Sequence, residues 1–370
     1  MNYSIKELSL RDLYDLVEKN KIELNPSYQR NFIWSTDDQR DLIDTILKGY
    51  PLPNFFLYLK PNGNFEMVDG QQRTKTIYRF IKGDITSSQR FEKVTFSRID
   101  QNLFFNYKIP VVIINMLSST DSLNEFYVLI NKKGVHLNSA EVNKSEFFDT
   151  NFLKLANELL TYQPLINLDL FSEATSKRMN DRAFVEELLG YLFVGSKDKR
   201  KSVEDTFKTD ITEIEFENLE IKFKEVIDKI EILNFIKPIS RTRFKQKNDF
   251  YTLFCFVNEN LEQEDDLFIQ QYHVLIILDG KDNQGRQFIR PSNEDCFALR
   301  EYANNCITQS NSKNAREKRL EFFNSILKNK SIESNEVLKE ILTYLSSVYD
   351  EDQINLKKVG SYELLSIGHI

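Results

Sequence analysis

The chain has 370 residues, 41% of them hydrophobic, which is enough apolar content for two packed cores and too much for a disordered polymer. Lys and Arg number 49 against 56 Asp and Glu, for a net charge of -7, so bulk charge does not attract polyanions and any nucleic-acid contact has to come from local patches. The three cysteines, Cys255, Cys296 and Cys306, make no CxxC pair; we read them as buried small hydrophobes in a reducing compartment, without a disulfide framework or a zinc site. The opening MNYSIKELSLRD is not a basic-then-apolar leader, and no apolar run approaches membrane-spanning length, so the expected setting is cytoplasmic, with no membrane partner.

Taken in order, Ser9 and Asp12 cap a helix with a Leu10, Leu13, Leu16, Val17 stripe that ends near Asn20. Ile22 to Leu24 forms a short strand into Asn25-Pro26. A loop then carries Tyr28-Gln29-Arg30, with Phe32 and Trp34 close behind. A guanidinium beside aromatic rings can hold a phosphate and a flat ring together, whereas Trp34 by itself reads as an anchor of the loop to the core. Ser35 and Asp38 open a second helix whose Leu42, Ile43, Ile46 and Leu47 face inward, and Gly49 closes it. Pro51 and Pro53 force an extended exit. Phe55 to Lys60 and Phe65 to Val68 flank Pro61-Asn62-Gly63-Asn64, a hairpin by its turn chemistry.

The second hairpin strand leads into the stretch on which function turns, FEMVDGQQRTKTIYRF, residues 65–80. It reads as a strand, a sharp turn at Asp69-Gly70, and a helix with Ile77, Phe80 and Ile81 on its apolar side, stopped by Gly83. Such a turn leaves the first N–H groups of the helix unpaired at the positive end of its dipole, which is a ready anion site. Gln71, Gln72, Arg73 and Thr74 add amide, guanidinium and hydroxyl donors there, while Asp69 suits phosphate only if a metal or a water needs a carboxylate. The plainer reading is a capped corner in which Asp69 satisfies the turn and Arg73 pairs with a surface acid. Val111 to Asn115 follows Pro110 as a further strand. Thr120-Asp121 caps a helix bearing Phe126, Tyr127, Leu129 and Ile130 that ends at Asn131-Lys132-Lys133-Gly134, where Asn131 is either a C-cap or a secondary contact of the pocket. Asn138-Ser139 begins another helix, with Glu141 in a structural place in its first turn.

These blocks resemble the family of the N-terminal domain of GmrSD-type restriction endonucleases, whose fold is related to the ParB and sulfiredoxin group. The resemblance rests on Tyr28-Gln29-Arg30 with Phe32-Ile33-Trp34, the run from Leu42 to Pro53, Asp69-Gly70-Gln71-Gln72-Arg73-Thr74, the Asn131 to Gly134 corner with Leu137 and Glu141, and Arg178 to Leu189. It covers residues 5 to 195 and implies an α+β fold, a small mixed sheet of ParB/sulfiredoxin type in residues 1–150, followed by an all-helical domain in residues 151–370. From Phe147 on, helical patterns dominate, as over residues 181–193, 211–233, 250–258 and 313–328, and no internal repeat appears, so the second half reads as a bundle. It carries three basic clusters, KDKRK (197–201), RTRFKQK (241–247) and KNAREKR (313–319), which are either solvated faces or, around Phe244, a track for a nucleic-acid backbone with a ring to stack on a base.

Many members of the family carry a His-Asn-His nuclease module, but this chain has only His136, His273 and His369, widely separated, so cutting would fall to a separate nuclease or defence partner protein or to a site of unrecognised type. Asp210, Glu220 and Lys222 mimic a carboxylate nuclease pattern by chance, since they lie in or beside a helical stretch. The resemblance therefore implies a module of a DNA-directed restriction or anti-phage system that binds, and in one reading hydrolyses, a nucleoside triphosphate with Mg2+. In that reading Arg73 and Arg30 neutralise phosphate charge, Gln71 and Gln72 orient oxygens or the attacking water, Asp69 holds magnesium or that water, and Gly70, Thr74 and Asn131 complete the pocket. The alternatives are a non-catalytic DNA-binding adaptor gripping a backbone phosphate at the same corner, and a ParB-like nickase.

Overall fold

The structure is a computed structural model that describes every residue except 27–31, 33, 88–93, 119–120, 132–146, 173–174, 176–178, 351–352 and 369–370; for Asn131, Lys199 and Arg200 only the backbone is described. The calls on Arg30, Lys132 to Gly134, Leu137, Glu141 and Arg178 lie outside the described residues, as does the side chain of Asn131. Two compact units emerge, Met1–Phe148 with Ala174–Asn180, and Asp149–Glu173 with Asp181–Ile370.

The first unit is built on a mixed five-stranded sheet. Its strands are β1 (Asn2–Ser9), β2 (Ile22–Glu23), β3 (Phe55–Leu59), β4 (Phe65–Asp69) and β5 (Lys108–Met116), in the spatial order β1-β5-β3-β4-β2. β3 and β4 form the expected antiparallel hairpin, closed by Lys60 N donating to Asn64 O at 2.8 Å and Gly63 N donating to Lys60 O at 2.9 Å. β3 runs parallel to β5, and β1 runs antiparallel to β5 along its whole length. Pro110 lies inside β5, opposite Glu7, and does not precede the strand.

Helices cover both faces because successive side chains point to opposite sides of a strand. α1 (Leu10–Glu18), α2 (Thr36–Leu47), α3 (Gln71–Lys82) and α4 (Gln101–Asn106) bury Leu10, Leu13, Ile43, Ile46, Ile77, Phe80 and Phe104 against Phe55, Leu57, Met67, Val111 and Ile113. α5 (Leu123–Asn131) covers the other face, where Val68, Ile114 and Tyr127 pack with Phe56, Tyr58 and Phe126. The α1 and α2 capping boxes are both made: Ser9 Oγ accepts from Asp12 N and Ser35 Oγ from Asp38 N, each at 3.1 Å, while the two aspartates accept from the cap backbones. The hydrogen bonds from Ser9 hold Asp12 below the usual carboxylate range.

Three expectations change here. Leu47, expected inside, is 40% exposed, because the buried stripe of α2 ends with Ile46. Asp121 is not the cap of α5: it pairs with the Met1 ammonium at 2.6 Å, and Ser122 O accepts the first helical bond, from Phe126 N. β1 has no counterpart in the pattern analysis, since it is an edge strand with Tyr3 and Ile5 exposed and shows no buried alternation to read.

The second unit is helical over most of its length. It contains α6 (Asn151–Leu159), α7 (Gln163–Asn167), α8 (Asn180–Val194), α9 (Lys199–Thr209), α10 (Glu213–Ile236) and α11 (Lys247–Glu259), then α12 (Asp265–Leu278), α13 (Phe297–Ile307), α14 (Lys313–Leu327) and α15 (Glu336–Leu345). The expectation of an all-helical domain is corrected at its end, where β6 (Ile354–Val359) and β7 (Tyr362–Ile367) make an antiparallel hairpin across Gly360-Ser361, with Gly360 at φ +58. A two-residue Gly-Ser loop between alternating strands is a recognised hairpin signal, so this element was there to be read.

Asp210, the first member of the chance nuclease pattern, has a structural role. Its two carboxylate oxygens accept from Asn151 N and Phe152 N, each at 3.0 Å, so it caps α6 across the fold. Glu220 pairs with Lys224 along α10. All three cysteines are free and buried, and burial pushes Cys296 up to about 11 and Cys306 up to about 12. No helix among the described residues is long and apolar enough to cross a membrane. Asp210→Ala should lower stability by about 1–2 kcal/mol through loss of this cap; a urea midpoint equal to wild type would refute the cap assignment.

Candidate functional site

The corner between β4 and α3 depends on Gly70. It stands at φ +110, and a Cβ there would lie 2.4 Å from Cδ1 of the buried Phe55 ring, so both backbone conformation and space demand glycine. α3 starts without a side-chain cap, and Thr74 N donates to Gly70 O at 2.8 Å to close its first turn. Gly83, at φ +85, ends the helix as expected.

Each side chain after Gly70 has a definite place. Gln71 donates its amide to Leu24 O at 2.7 Å and to Asn25 Oδ1 at 3.0 Å. Gln72 donates to Gln71 Oε1 and accepts from the backbone N–H of Trp34, each at 3.2 Å. The two glutamines thus fasten both ends of the loop between Leu24 and Trp34 to the start of α3. Trp34 is the anchor that was expected: its ring packs on the core and its carbonyl accepts from Gln39 Nε2 at 3.1 Å.

Arg73 points inward. Its Nη1 donates to Pro53 O, its Nη2 to Asn54 O at 3.0 Å and to Asp69 Oδ2 at 2.8 Å, and its guanidinium lies 4.2 Å from the centroid of Phe55. Burial pulls its pKa down, and the Asp69 carboxylate opposes that. Arg73 therefore ties the Pro53-Asn54 exit to the end of β4, and its expected acid partner is Asp69 itself. Asp69 is about one-third exposed, at 35%, beside the open end of the corner. Thr74 is buried with its hydroxyl unpartnered among the described residues.

Pattern analysis missed the outward face of α3. Gln71, Lys75 and Arg79 follow each other at four-residue intervals, the spacing that puts residues on one helical face. Lys75 donates to Asn25 Oδ1, the same amide oxygen that Gln71 uses, and its ammonium lies 6.0 Å from the Phe32 ring. Arg79 donates to Gln39 Oε1 at 2.7 Å and lies at the same distance from Phe32. Burial lowers the Lys75 pKa, and no carboxylate among the described residues pairs with it.

Residues 13–148 match the family model of the GmrSD restriction endonuclease, N-terminal domain. This stretch of the chain belongs to that domain family. The match spans residues 24–34, the Gly70 corner and α3 in full. No curated protein and no solved structure matches the chain. Among the described residues, no group of three or more His, Cys, Asp or Glu side chains could hold a metal ion, and Asp69 offers one carboxylate that Arg73 already engages.

The two residues that shape the corner make separable predictions. Gly70→Ala should cost about 3 kcal/mol, from left-handed backbone strain together with overpacking against Phe55, whereas Gly63→Ala, at φ +80 with open space around it, should cost about 1 kcal/mol. Equal losses in a denaturant titration would mean that the Phe55 contact is unimportant. Arg73→Ala should destabilise the unit by about 2–4 kcal/mol, because it strands Asp69 and two carbonyls at once. A melting temperature equal to wild type would refute its bracing role.

Proposed function

We propose that this GmrSD-type domain is the nucleoside-triphosphate-binding module of a DNA-directed restriction or defence system, and that its phosphate site is the open face of the Gly70 corner. The observation that carries the reading is Lys75, a partly buried cation with no carboxylate partner among the described residues, set in α3, whose N-terminus has no side-chain cap. The helix dipole and the Lys75 ammonium both favour an anion near the start of α3. In this reading Lys75 and Arg30 neutralise phosphate charge, Gln71 and Gln72 tether Leu24, Asn25 and Trp34 to the start of α3, and Arg73 keeps the corner in shape. Asp69 can contribute a carboxylate to Mg2+ or to an attacking water only if it shares its charge with Arg73. Supply of Mg2+ with the nucleotide would bring charge neutralisation at the β- and γ-oxygens. Cutting of DNA is assigned to a separate partner protein.

A second reading is an adaptor that uses the same corner for a DNA backbone phosphate, and one observation favours a DNA contact. In the helical unit, the first and third basic clusters are neighbours: Lys313 N donates to Asp198 Oδ1 at 2.6 Å and Arg316 Nη1 to Lys197 O at 3.0 Å. Exposed Lys197, Lys201 and Lys313 therefore belong to one neighbourhood of that unit. The middle cluster does not join in as expected, since Phe244 is buried at 1% exposure and has no face to offer a base.

The deciding experiment is phosphate release from each of the four ribonucleoside triphosphates with magnesium, with and without duplex DNA, in wild type and Lys75→Gln. The expected result is release by wild type and a loss of about tenfold or more in nucleotide affinity for the variant. The variant should stay folded, because Lys75 has only a neutral amide as its described acceptor. Absence of nucleotide binding, together with DNA affinity that falls steeply with salt, would replace this reading with the adaptor.

A further inference from the structure

The helical unit contains a cleft of about 540 Å³, within the range of small-molecule sites. One wall is the Ser240–Gln246 connection between α10 and α11, the second is the Asp279–Pro291 segment after α12, and the third is the Ala303–Ile307 side of α13. Three guanidiniums line it, from Arg241, Arg243 and Arg290, against one carboxylate, Asp279.

Arg243 is fixed from behind. Its Nε donates to the fully buried Asp249 at 2.8 Å and its Nη1 to Ile289 O at 3.0 Å, while Tyr302 and Cys306 also donate to the same Asp249 oxygen. That leaves Nη2 with no acceptor among the described residues. Arg243, which lines the cleft, keeps 13% of its side chain exposed. Arg290 is held by Asp282 at 3.3 Å. Arg241 is exposed at the rim and has no acceptor among the described residues. Asp279 is engaged by Arg243 N at 3.2 Å and by Lys237 at 3.7 Å, so its charge is partly offset from within the fold. Ile289, Pro291, Ala303 and Ile307 add apolar surface beside these charges.

We infer that this cleft binds an organic phosphate of nucleotide size, with the phosphate on Arg243 Nη2 and Arg241 and the remainder against Ile289 and Ile307. A guanidinium whose other donors are locked presents its last nitrogen without further loss of freedom, which is how phosphate selectivity over simple charge is achieved. The site lies wholly in the helical unit and does not rest on the Gly70 corner.

The test is a methyl NMR titration of the full chain, labelled at isoleucine, with adenosine monophosphate, inorganic pyrophosphate and a short single-stranded oligonucleotide in turn. The Ile289 and Ile307 methyls should shift saturably with the monophosphate. Arg241→Glu should weaken that binding by about tenfold or more, and Arg243→Lys, which keeps the charge but removes the free fork nitrogen, should weaken it as well. Tighter binding of the oligonucleotide would assign the phosphate to nucleic acid; response to pyrophosphate alone would remove the organic part of the proposal. Unmoved Ile289 and Ile307 methyls at millimolar ligand, or equal affinity in Arg241→Glu, would overturn it, and shifts confined to Ile77 would point to the Gly70 corner instead.

Discussion

Arg73, Phe55 and Gly70 form one packing unit, and the N-terminal unit takes its functional shape from it. The ring of Phe55 fills the place of a Cβ at residue 70 and also supports the guanidinium at 4.2 Å, so the close strand-to-helix turn and the buried cation depend on the same side chain. Once Arg73 is seated, the chain leaving α2 is tied through Pro53 and Asn54 to the end of β4. The cation stays charged because a carboxylate and two carbonyls replace its water, which is the condition for keeping any guanidinium away from solvent.

Much of this architecture was legible in the residues, for local reasons. Both capping boxes, the Pro-Asn-Gly-Asn hairpin and the Asp-Gly corner are set by atoms within a few residues of each other. What escaped was decided by distant partners. An Arg following Asp-Gly-Gln-Gln reads as a phosphate ligand until the carbonyls of Pro53 and Asn54, about twenty residues earlier, are found to occupy it. Lys75 shares a helical face with Gln71 and Arg79 by spacing, but that it is partly buried without a carboxylate partner among the described residues is set by the fold, which a sequence does not show. β1 escaped because an edge strand with exposed Tyr3 and Ile5 lacks the buried alternation by which strands are recognised.

The basic clusters of the helical half teach a related lesson about charge runs. Arg316 is buried against Glu187 and the Tyr251 hydroxyl, Arg243 against Asp249, and Arg319 donates to Thr252, Asn305 and Ser310. Arg182 and Glu186 make a further buried pair at 3.0 Å. Within KNAREKR, then, the lysines stay at the surface while both arginines go inside. The planar fork of Arg can be satisfied by several fixed acceptors at once, and the compact, strongly hydrated ammonium of Lys resists the same treatment. These pairs add less to stability than their number implies, because desolvation offsets most of their attraction; they do restrict which helices can pack together.

The strand order of the first unit has a bearing on how the protein is made. β1 leaves the ribosome before β5, yet Asn2 to Ser9 pair with Met116 to Lys108, and β3 waits for the same strand, with Phe56 beside Val112. The α3 corner and its hairpin can assemble early from local contacts, whereas the sheet that supports them closes only after β5 emerges. Pairings of such wide separation form slowly, because a long loop must be closed before any contact is gained. During synthesis the exposed β3 edge of the β3-β4 hairpin is therefore a temporary liability, open to chaperones and to aggregation alike until β5 arrives.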